Sequence, residues 1–274
     1  MNEALNPNTS AARLWQLSGA AQEQPSPEQL ATAELVAKNP AAPGELLRAL
    51  SATKRPAVQQ AVALNPNTPL QVLLRLADAF PLALQNPALP LLLLENPNPI
   101  EQLPRSELRF VRHPETPLLL LEQAISLNNE QVAMWVAQNP SLPPHILSGL
   151  AESPLHQVRQ QIARHPKITH HLVEEWSQRQ SLNAQITVAL SPWATEEQLY
   201  RLADSESALL VEAIRQSDLL SNTLLRRMAV DGSRARRKIV AGLRYAPRDV
   251  LTKLAQDRAA SVRQVVKNNP TFIP

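Results

Sequence analysis

Apolar and polar positions follow a helical spacing along this chain, and the spacing restarts at fixed intervals. Apolar residues stand six, seven and ten places after a recurring anchor, as at Leu46, Leu47 and Leu50. A second set places Val or Ile four residues before the next anchor, as at Val62 and Val136. Both spacings put apolar side chains on one face of a helix. The pattern predicts two short amphipathic helices per interval and no strands.

The anchor is an Asn-Pro step, or a substitute for it, that returns every 26 residues along most of the chain. Its proline position is held by Pro40, Pro66, Pro114, Pro140, Pro166, Pro192, Asp218, Arg244 and Pro270. Proline disfavours a helical residue before it, and a Pro, Thr or Ser three places later starts the next helix. The period predicts an all-α solenoid of about nine to ten two-helix repeats, forming one domain over residues 1–274.

One segment departs from the period. The Asn-Pro step after Pro66 is at Pro87, only 21 residues on, and further prolines crowd the chain before Pro114. We expect an irregular repeat at about residues 80–109, because prolines interrupt helices. It would form a bend or hinge, or simply a stable local distortion.

The phrase Val-Ala-x-Asn-Pro-x-x-Pro occurs at Val36–Pro43 and again at 62–69 and 136–143. It resembles the repeat of the leucine-rich repeat variant family. The resemblance implies a right-handed helical superhelix and a binding rather than a catalytic role. One helix of each repeat would be of the 3₁₀ kind, or both would be α as in HEAT repeats. Some members carry an N-terminal cysteine cluster for an iron–sulfur centre, but this chain has no cysteine.

A HEAT-like feature stands near the C-terminus. Asp231 precedes Arg237 by six residues, and Asp257 precedes Arg263 by six. In HEAT arrays such pairs resemble a ladder between repeats. Arg159 occupies the same register as Arg237 in an earlier repeat.

Composition narrows the class of protein. Hydrophobic residues make up 44% of the chain and aromatics 3%, so aliphatic side chains must form the core. The absence of cysteine excludes disulfides, thiolate zinc sites and iron–sulfur ligation. The start of the chain carries no signal-like segment, and no apolar run approaches the length of a membrane span. We expect a cytoplasmic protein with no cofactor and no membrane contact.

Charge is distributed unevenly. Residues 200–274 hold 14 Lys/Arg against 7 Asp/Glu, whereas the whole chain has a net charge of +3. These basic C-terminal repeats are a candidate binding surface, to which we add one exposed aromatic position. The candidates are Arg226, Arg227, Arg234, Arg236, Arg237, Lys238, Arg244, Arg248, Arg263, Lys267 and Trp193. The cations could track a phosphate backbone or bind an acidic protein. They could equally pair with Asp231, Asp249 and Asp257.

Other candidate chemistry is sparse. His170 and His171 precede Glu174 and Glu175 at helical spacing, but no third ligand is specified, so we expect no metal site. We expect Trp176 in the core and Trp193, which follows an anchor proline, at the surface. No nucleophile, metalloprotease or phosphate-loop motif is present.

The sequence therefore favours a non-enzymatic scaffold that binds a protein partner through a curved surface. The alternative is binding of DNA or RNA through the basic C-terminal repeats. A helical-repeat enzyme acting on nucleic acid bases is a third and weaker hypothesis, because no exposed catalytic constellation can be named.

Overall fold

A computed structural model describes residues 3–22, 26–230 and 232–272, which form helices and connecting turns with no strand among them. The chain divides into two compact units, Met1–Ser141 and Leu142–Pro274. Helices pack in chain order within each unit. The prediction of an all-helical repeat fold is confirmed.

Unit 1 consists of α-helices and 3₁₀ helices. Its α-helices are α1 (Ala11–Ser18), α2 (Pro27–Ala37), α3 (Gly44–Ser51), α4 (Pro56–Leu64), α5 (Leu70–Leu76), α6 (Leu89–Glu95), α7 (Leu118–Ser126) and α8 (Glu130–Ala137). Its 3₁₀ helices are Glu3–Leu5, Pro81–Gln85, Pro99–Gln102 and Arg105–Arg112.

Unit 2 is more regular, because first and second helices alternate throughout its described residues. They are α9 (Pro144–Ala151), α10 (His156–Ala163), α11 (His170–Ser177), α12 (Leu182–Leu190), α13 (Glu196–Leu202), α14 (Ala208–Arg215), α15 (Asn222–Val230), α16 (Arg234–Ala241), α17 (Arg248–Leu254) and α18 (Ala260–Lys267).

Polar side chains and prolines start these helices as the sequence predicts. Thr195 caps α13 and forms a reciprocal capping box with Gln198. Ser26 and Gln29 do the same for α2, which has Pro27 in its first turn. These caps supply acceptors to backbone N–H groups that have no partner inside the helix. Short helices can therefore start at fixed points along the chain.

The second helices of successive repeats stack on one another. In unit 1, α2 packs on α4; in unit 2, α10 packs on α12, α12 on α14, and α16 on α18. Their apolar stripes are buried, with Val62 and Val188 fully inaccessible. An eight-residue helix buries too little surface to be stable by itself. Contacts between neighbouring repeats must supply the remaining stability.

The irregular segment lies between α5 and α7. Pro81–Gln85 is a 3₁₀ helix in the place of a second helix, and two more 3₁₀ helices follow α6. Proline is in the first turn of the first two of these elements. Arg105–Arg112 packs against α8 and buries Phe110 completely. The segment is therefore a packed part of unit 1.

Buried asparagines connect the repeats of unit 1. Asn65 is 3% exposed, and its Nδ2 donates to the carbonyls of Ala37 (2.7 Å) and Asn39 (2.8 Å) in the preceding repeat. Its Oδ1 accepts from the backbone N–H of Asn67 at 2.9 Å. The same three bonds are formed by Asn39, Asn86 and Asn139, and in unit 2 by Asn269.

This asparagine ladder gives the anchor a second role. Sequence reasoning assigns the Asn-Pro step the task of ending a helix, but the amide also satisfies two carbonyls of the repeat before it. Buried carbonyls without donors are costly. The repeated choice of asparagine before the anchor proline is the sequence signal for this contact, because a helix stop needs proline and does not need an amide.

Candidate binding groove

The asparagine ladder stops inside unit 2. The anchor positions there are His165, Ser191, Ser217 and Leu243. The serines keep one bond each, accepting from the backbone N–H groups of Trp193 and Leu219. Their side chains are too short to span two repeats, and leucine has no polar group. The stretch from 191 to 243 therefore has lost the ladder found in unit 1.

A tyrosine replaces part of the lost ladder. The hydroxyl of Tyr245 donates to the carbonyl of Arg215 at 3.3 Å. In the next repeat the equivalent carbonyl, that of Ala241, is bound by Asn269. Burial, followed by the charge of Asp218, raises the pKa of Tyr245. The hydroxyl thus stays protonated and available as a donor.

Arg215 occupies a position that holds alanine in six other repeats. Three places before the proline position of the anchor, these completely buried alanines are Ala37, Ala63, Ala137, Ala163, Ala189 and Ala241. Arginine at this position places a long side chain where those repeats have a methyl group. Its guanidinium lies directly over Gly242, where a Cβ would overlap Nη2 and approach Cζ to 3.0 Å. Gly242 thus leaves room for the end of the Arg215 side chain.

Two second helices are separated at Arg215. Within the part of the chain that the structure describes, α14 and α16 barely contact each other, although α12 packs closely on α14 and α16 on α18. A groove of about 440 Å³ lies between them. Val211 and Ala208 line it from α14, and Ala235 and Ile239 line it from α16. We call this the α14–α16 groove.

Three cations stand on the α14–α16 groove: Arg215, Arg234 and Lys238. Nε of Arg215 is buried and has no hydrogen-bond partner, and its Nη1 is 4.0 Å from Glu212. Arg234 pairs with Glu206 at 2.7 Å, but both side chains are largely exposed. Lys238 forms no ion pair with any residue that the structure describes. The groove combines an apolar floor with incompletely neutralised positive charge.

Sequence reasoning included Arg234 and Lys238 among the candidates but missed Arg215. Arg215 stands outside the run of basic residues that begins at Arg226. The signal that could have found it is register, because aligning the repeats shows an arginine where six other repeats have a buried alanine.

Most of the other predicted cations are engaged in local ion pairs. Arg226 pairs with Asp249 through two bonds, Arg227 pairs with Glu197 at 2.6 Å, and Arg236 pairs with Asp204. Arg227 and Arg236 also lie over the ring of Tyr200, at 3.9 and 3.7 Å from its centroid. Arg227 and Arg236 tie α15 and α16 to the preceding repeat, and Arg226 ties α15 to α17 in the following repeat.

Arg237 differs from the prediction of a surface cation. Its side chain is 7% exposed and binds both carboxylate oxygens of Asp257, at 2.6 and 3.2 Å. Its Nη1 donates to the carbonyl of Gly232 at 2.8 Å. Arg237 therefore joins two repeats inside the protein. Asp231, its expected partner, lies outside the described residues.

The acidic partner is also held tightly. Desolvation would raise the pKa of Asp257, but hydrogen bonds from Arg237 and from the backbone of Ala259, with the charge of Arg237, hold that pKa below its ordinary value. Arg263 stands at the register of Arg237 one repeat later. It donates to the backbone carbonyls of Asp257 and Arg258 instead of forming an ion pair. The predicted Asp257–Arg263 spacing of six residues thus gives a bond to a backbone carbonyl in the loop. The ion pair of Asp257 is formed with Arg237 of the preceding repeat.

Arg159 shows what this position is like without an acid. It is 4% exposed, its Nη1 donates to the carbonyl of Ser153 at 2.6 Å, and its Nε has no partner. Desolvation lowers the pKa of Arg159. Asp257 stands 20 residues after Arg237. The residue 20 places after Arg159 is Arg179, which pairs with Glu175 and Glu152.

The remaining candidates lie at the surface. Arg244, Arg248 and Lys267 are exposed and form no ion pair with a residue in the described ranges. Trp193 is 43% exposed and meets the ring of His170 edge-on at 5.1 Å, while Trp176 is fully buried as predicted. The structure brings Arg234 and Lys238 together at the groove and leaves Trp193 with α11.

Residues 3–22, 26–230 and 232–272 contain no group of three or more His, Asp or Glu side chains placed to hold a metal ion. Across these same ranges, none of the helices has the length and apolar character needed to cross a membrane. No protein-family model, curated protein or solved structure matches the chain.

Proposed function

We propose that this protein is a non-enzymatic helical-repeat scaffold that binds a protein partner. The observation that carries the proposal is the α14–α16 groove, where aliphatic side chains lie beside cations that local carboxylates do not fully neutralise. Protein interfaces combine buried apolar anchors with a polar rim in this way. The Val-Ala-x-Asn-Pro motif also supports a distant relationship with the leucine-rich repeat variant family, and we propose a cytoplasmic location.

The test is affinity capture from a cell extract with and without nuclease. We expect a discrete protein to be retained after nuclease treatment and then to bind as a purified component. Recovery of nucleic acid only, with all captured protein lost on nuclease treatment, would refute the proposal.

The alternative function, binding of a nucleic acid backbone, rests on Arg244, Arg248 and Lys267. These exposed side chains have no ion pairs among the described residues. Several neighbouring arginines are already paired with carboxylates, which reduces the charge available to phosphates. The alternative predicts binding to DNA or RNA that falls steeply with salt and weakens when the three are changed to Gln. The matched control is Arg226→Gln, which removes an arginine already paired with Asp249.

A further inference from the structure

The α14–α16 groove has features of a binding site that the packing of the other repeats does not provide. α12 packs closely on α14 and α16 on α18, whereas α14 and α16 barely contact each other, and the guanidinium of Arg215 lies over Gly242 at the end of α16. Nε of Arg215 is buried without a hydrogen-bond partner. Missing helix contacts and an unpartnered polar group both cost stability. Locally unfavourable features of this kind are expected at functional sites.

The charges define what the groove can accept. Arg215, Arg234 and Lys238 face two carboxylates, Glu206 and Glu212, both of which are largely exposed. Exposed ion pairs contribute little to stability, so Arg234 can exchange Glu206 for another acid at small cost. The two Nη groups of an arginine can bind one carboxylate through two parallel bonds. Nη1 of Arg215 is 4.0 Å from Glu212, so this weak pair can give way to a carboxylate of a ligand.

The aliphatic lining and the length of the groove also restrict which ligands can bind. Val211, Ala208 and Ala235 provide accessible aliphatic surface in the groove, where Ile239 is buried. The flanking helices have eight residues each, which at about 1.5 Å per residue gives a length of about 12 Å. A groove of that length spans about four residues of extended chain.

We propose that the α14–α16 groove binds a short acidic and aliphatic segment of a protein partner. The segment's carboxylate pairs with the guanidinium of Arg215, and its neighbouring aliphatic side chain packs on Val211 and Ala235. Lys238 and Arg234 attract further acidic residues of the segment. This inference rests on the proposed protein-binding function and assigns it a site and a ligand chemistry.

The experiment is selection of random peptides displayed on phage against the full-length protein. Selected peptides are then synthesised, and their binding is measured by fluorescence anisotropy. We expect peptides with Asp or Glu next to Leu, Ile or Val. Replacing the acid by its amide should weaken binding about 30-fold, as loss of one member of a buried charged pair does.

Two variants and one control locate the site. Arg215→Ala restores the small residue of the other repeats, so it should raise the melting temperature while abolishing peptide binding. Arg215→Lys keeps the charge but loses the paired donors, and it should bind more weakly than the wild type. Arg226→Gln lies outside the groove and should bind as the wild type does.

Three results would overturn the proposal: no enriched peptide, enriched peptides without acidic residues, or equal binding by Arg215→Ala. Displacement of the peptide by equimolar oligothymidylate would also overturn it, in favour of a phosphate backbone as the ligand. If peptides bind but ignore Arg215, the groove assignment fails while the protein-binding function stands. That function fails separately if nuclease-resistant protein capture is not observed.

Discussion

The repeats of unit 1 and the stretch of residues 191–257 are connected by different chemistry. In unit 1, neutral amides such as Asn65 cross from one repeat to the carbonyls of the one before. Between 191 and 257, the crossing contacts include the buried Arg237–Asp257 ion pair, the hydroxyl of Tyr245 and several arginine–carboxylate pairs that are more exposed. Where the anchor asparagine is absent, charged and aromatic side chains form the contacts between repeats. The basic character of this stretch is therefore largely structural.

The largest effect expected from this comparison is that of removing Arg237. Arg237→Gln leaves the buried carboxylate of Asp257 without its counter-charge, which should cost about 3–5 kcal/mol of unfolding free energy. Urea denaturation followed by circular dichroism measures the change. If the loss is below about 1 kcal/mol, the pair behaves as a surface ion pair and the comparison fails.

Arg159→Gln is the matched control for that variant. Glutamine at the same register forms the loop contact elsewhere, since Gln59 and Gln185 donate to the carbonyls of Ser51 and Arg179. The change keeps a donor for Ser153 and removes a buried charge that faces no acid. We expect stability to stay equal or to rise by about 1 kcal/mol.

The next effect concerns the asparagine ladder. Asn65→Ala removes the donor to the carbonyl of Ala37 and the acceptor for the N–H of Asn67, while the carbonyl of Asn39 keeps its bond from the N–H of Ala42. At about 1–3 kcal/mol per buried group, we expect a loss of about 3 kcal/mol. Ser191→Ala removes a single bond at an equally buried anchor, that to the N–H of Trp193, and should cost less than about 1 kcal/mol. Equal losses for the two variants would show that the ladder does not distinguish these repeats.

The helix pairs could be predicted from the sequence, but the contacts of the buried arginines could not. The period of Leu46, Val62 and their equivalents determines the helix pairs, because burial of an aliphatic stripe depends only on spacing. Arg237 and Arg159 occupy the same register, yet one has an acid in the next repeat and the other does not. Such a partner is found in space and not in a local motif. The candidate surface named from the sequence therefore includes Arg236 and Arg237, whose side chains are largely buried and paired with acids.

The groove was hidden for a similar reason. Arg215 is not part of a sequence motif. It is distinctive only when its register is compared with that of the repeats that have alanine there. An alanine at this position attracts no attention in a single repeat, because alanine is common in helices. The irregular repeat was easier to locate, since prolines act on the local backbone and 3₁₀ helices do occupy that segment.

Acid should separate the two kinds of connection. The pKa of Asp257 is held below its ordinary value of 3.8, so its contribution to stability is present above that pH and is lost as pH falls through the lowered pKa. The amides of unit 1 do not titrate in this range. Each unit of pKa difference corresponds to about 1.4 kcal/mol.

We therefore expect Asp257→Asn to flatten the acid limb of a plot of unfolding free energy against pH. The matched control is Asp249→Asn, because Asp249 also pairs with an arginine but is 60% exposed. It should change that limb little, since solvent screens an exposed pair. Equal flattening by both substitutions would contradict the comparison.

The smallest effect tests whether Tyr245 replaces the missing amide at Leu243. Tyr245→Phe removes the donor to the carbonyl of Arg215 and leaves the ring in place, so it should cost about 1 kcal/mol. Asn269→Ala removes two donors from the equivalent position one repeat later and should cost more. Because the ring of Tyr245 is 55% exposed, water can reach part of the site and soften the loss. No loss at all would mean that this carbonyl is hydrated, and that the repeats on either side of the groove are connected without any substitute for the asparagine.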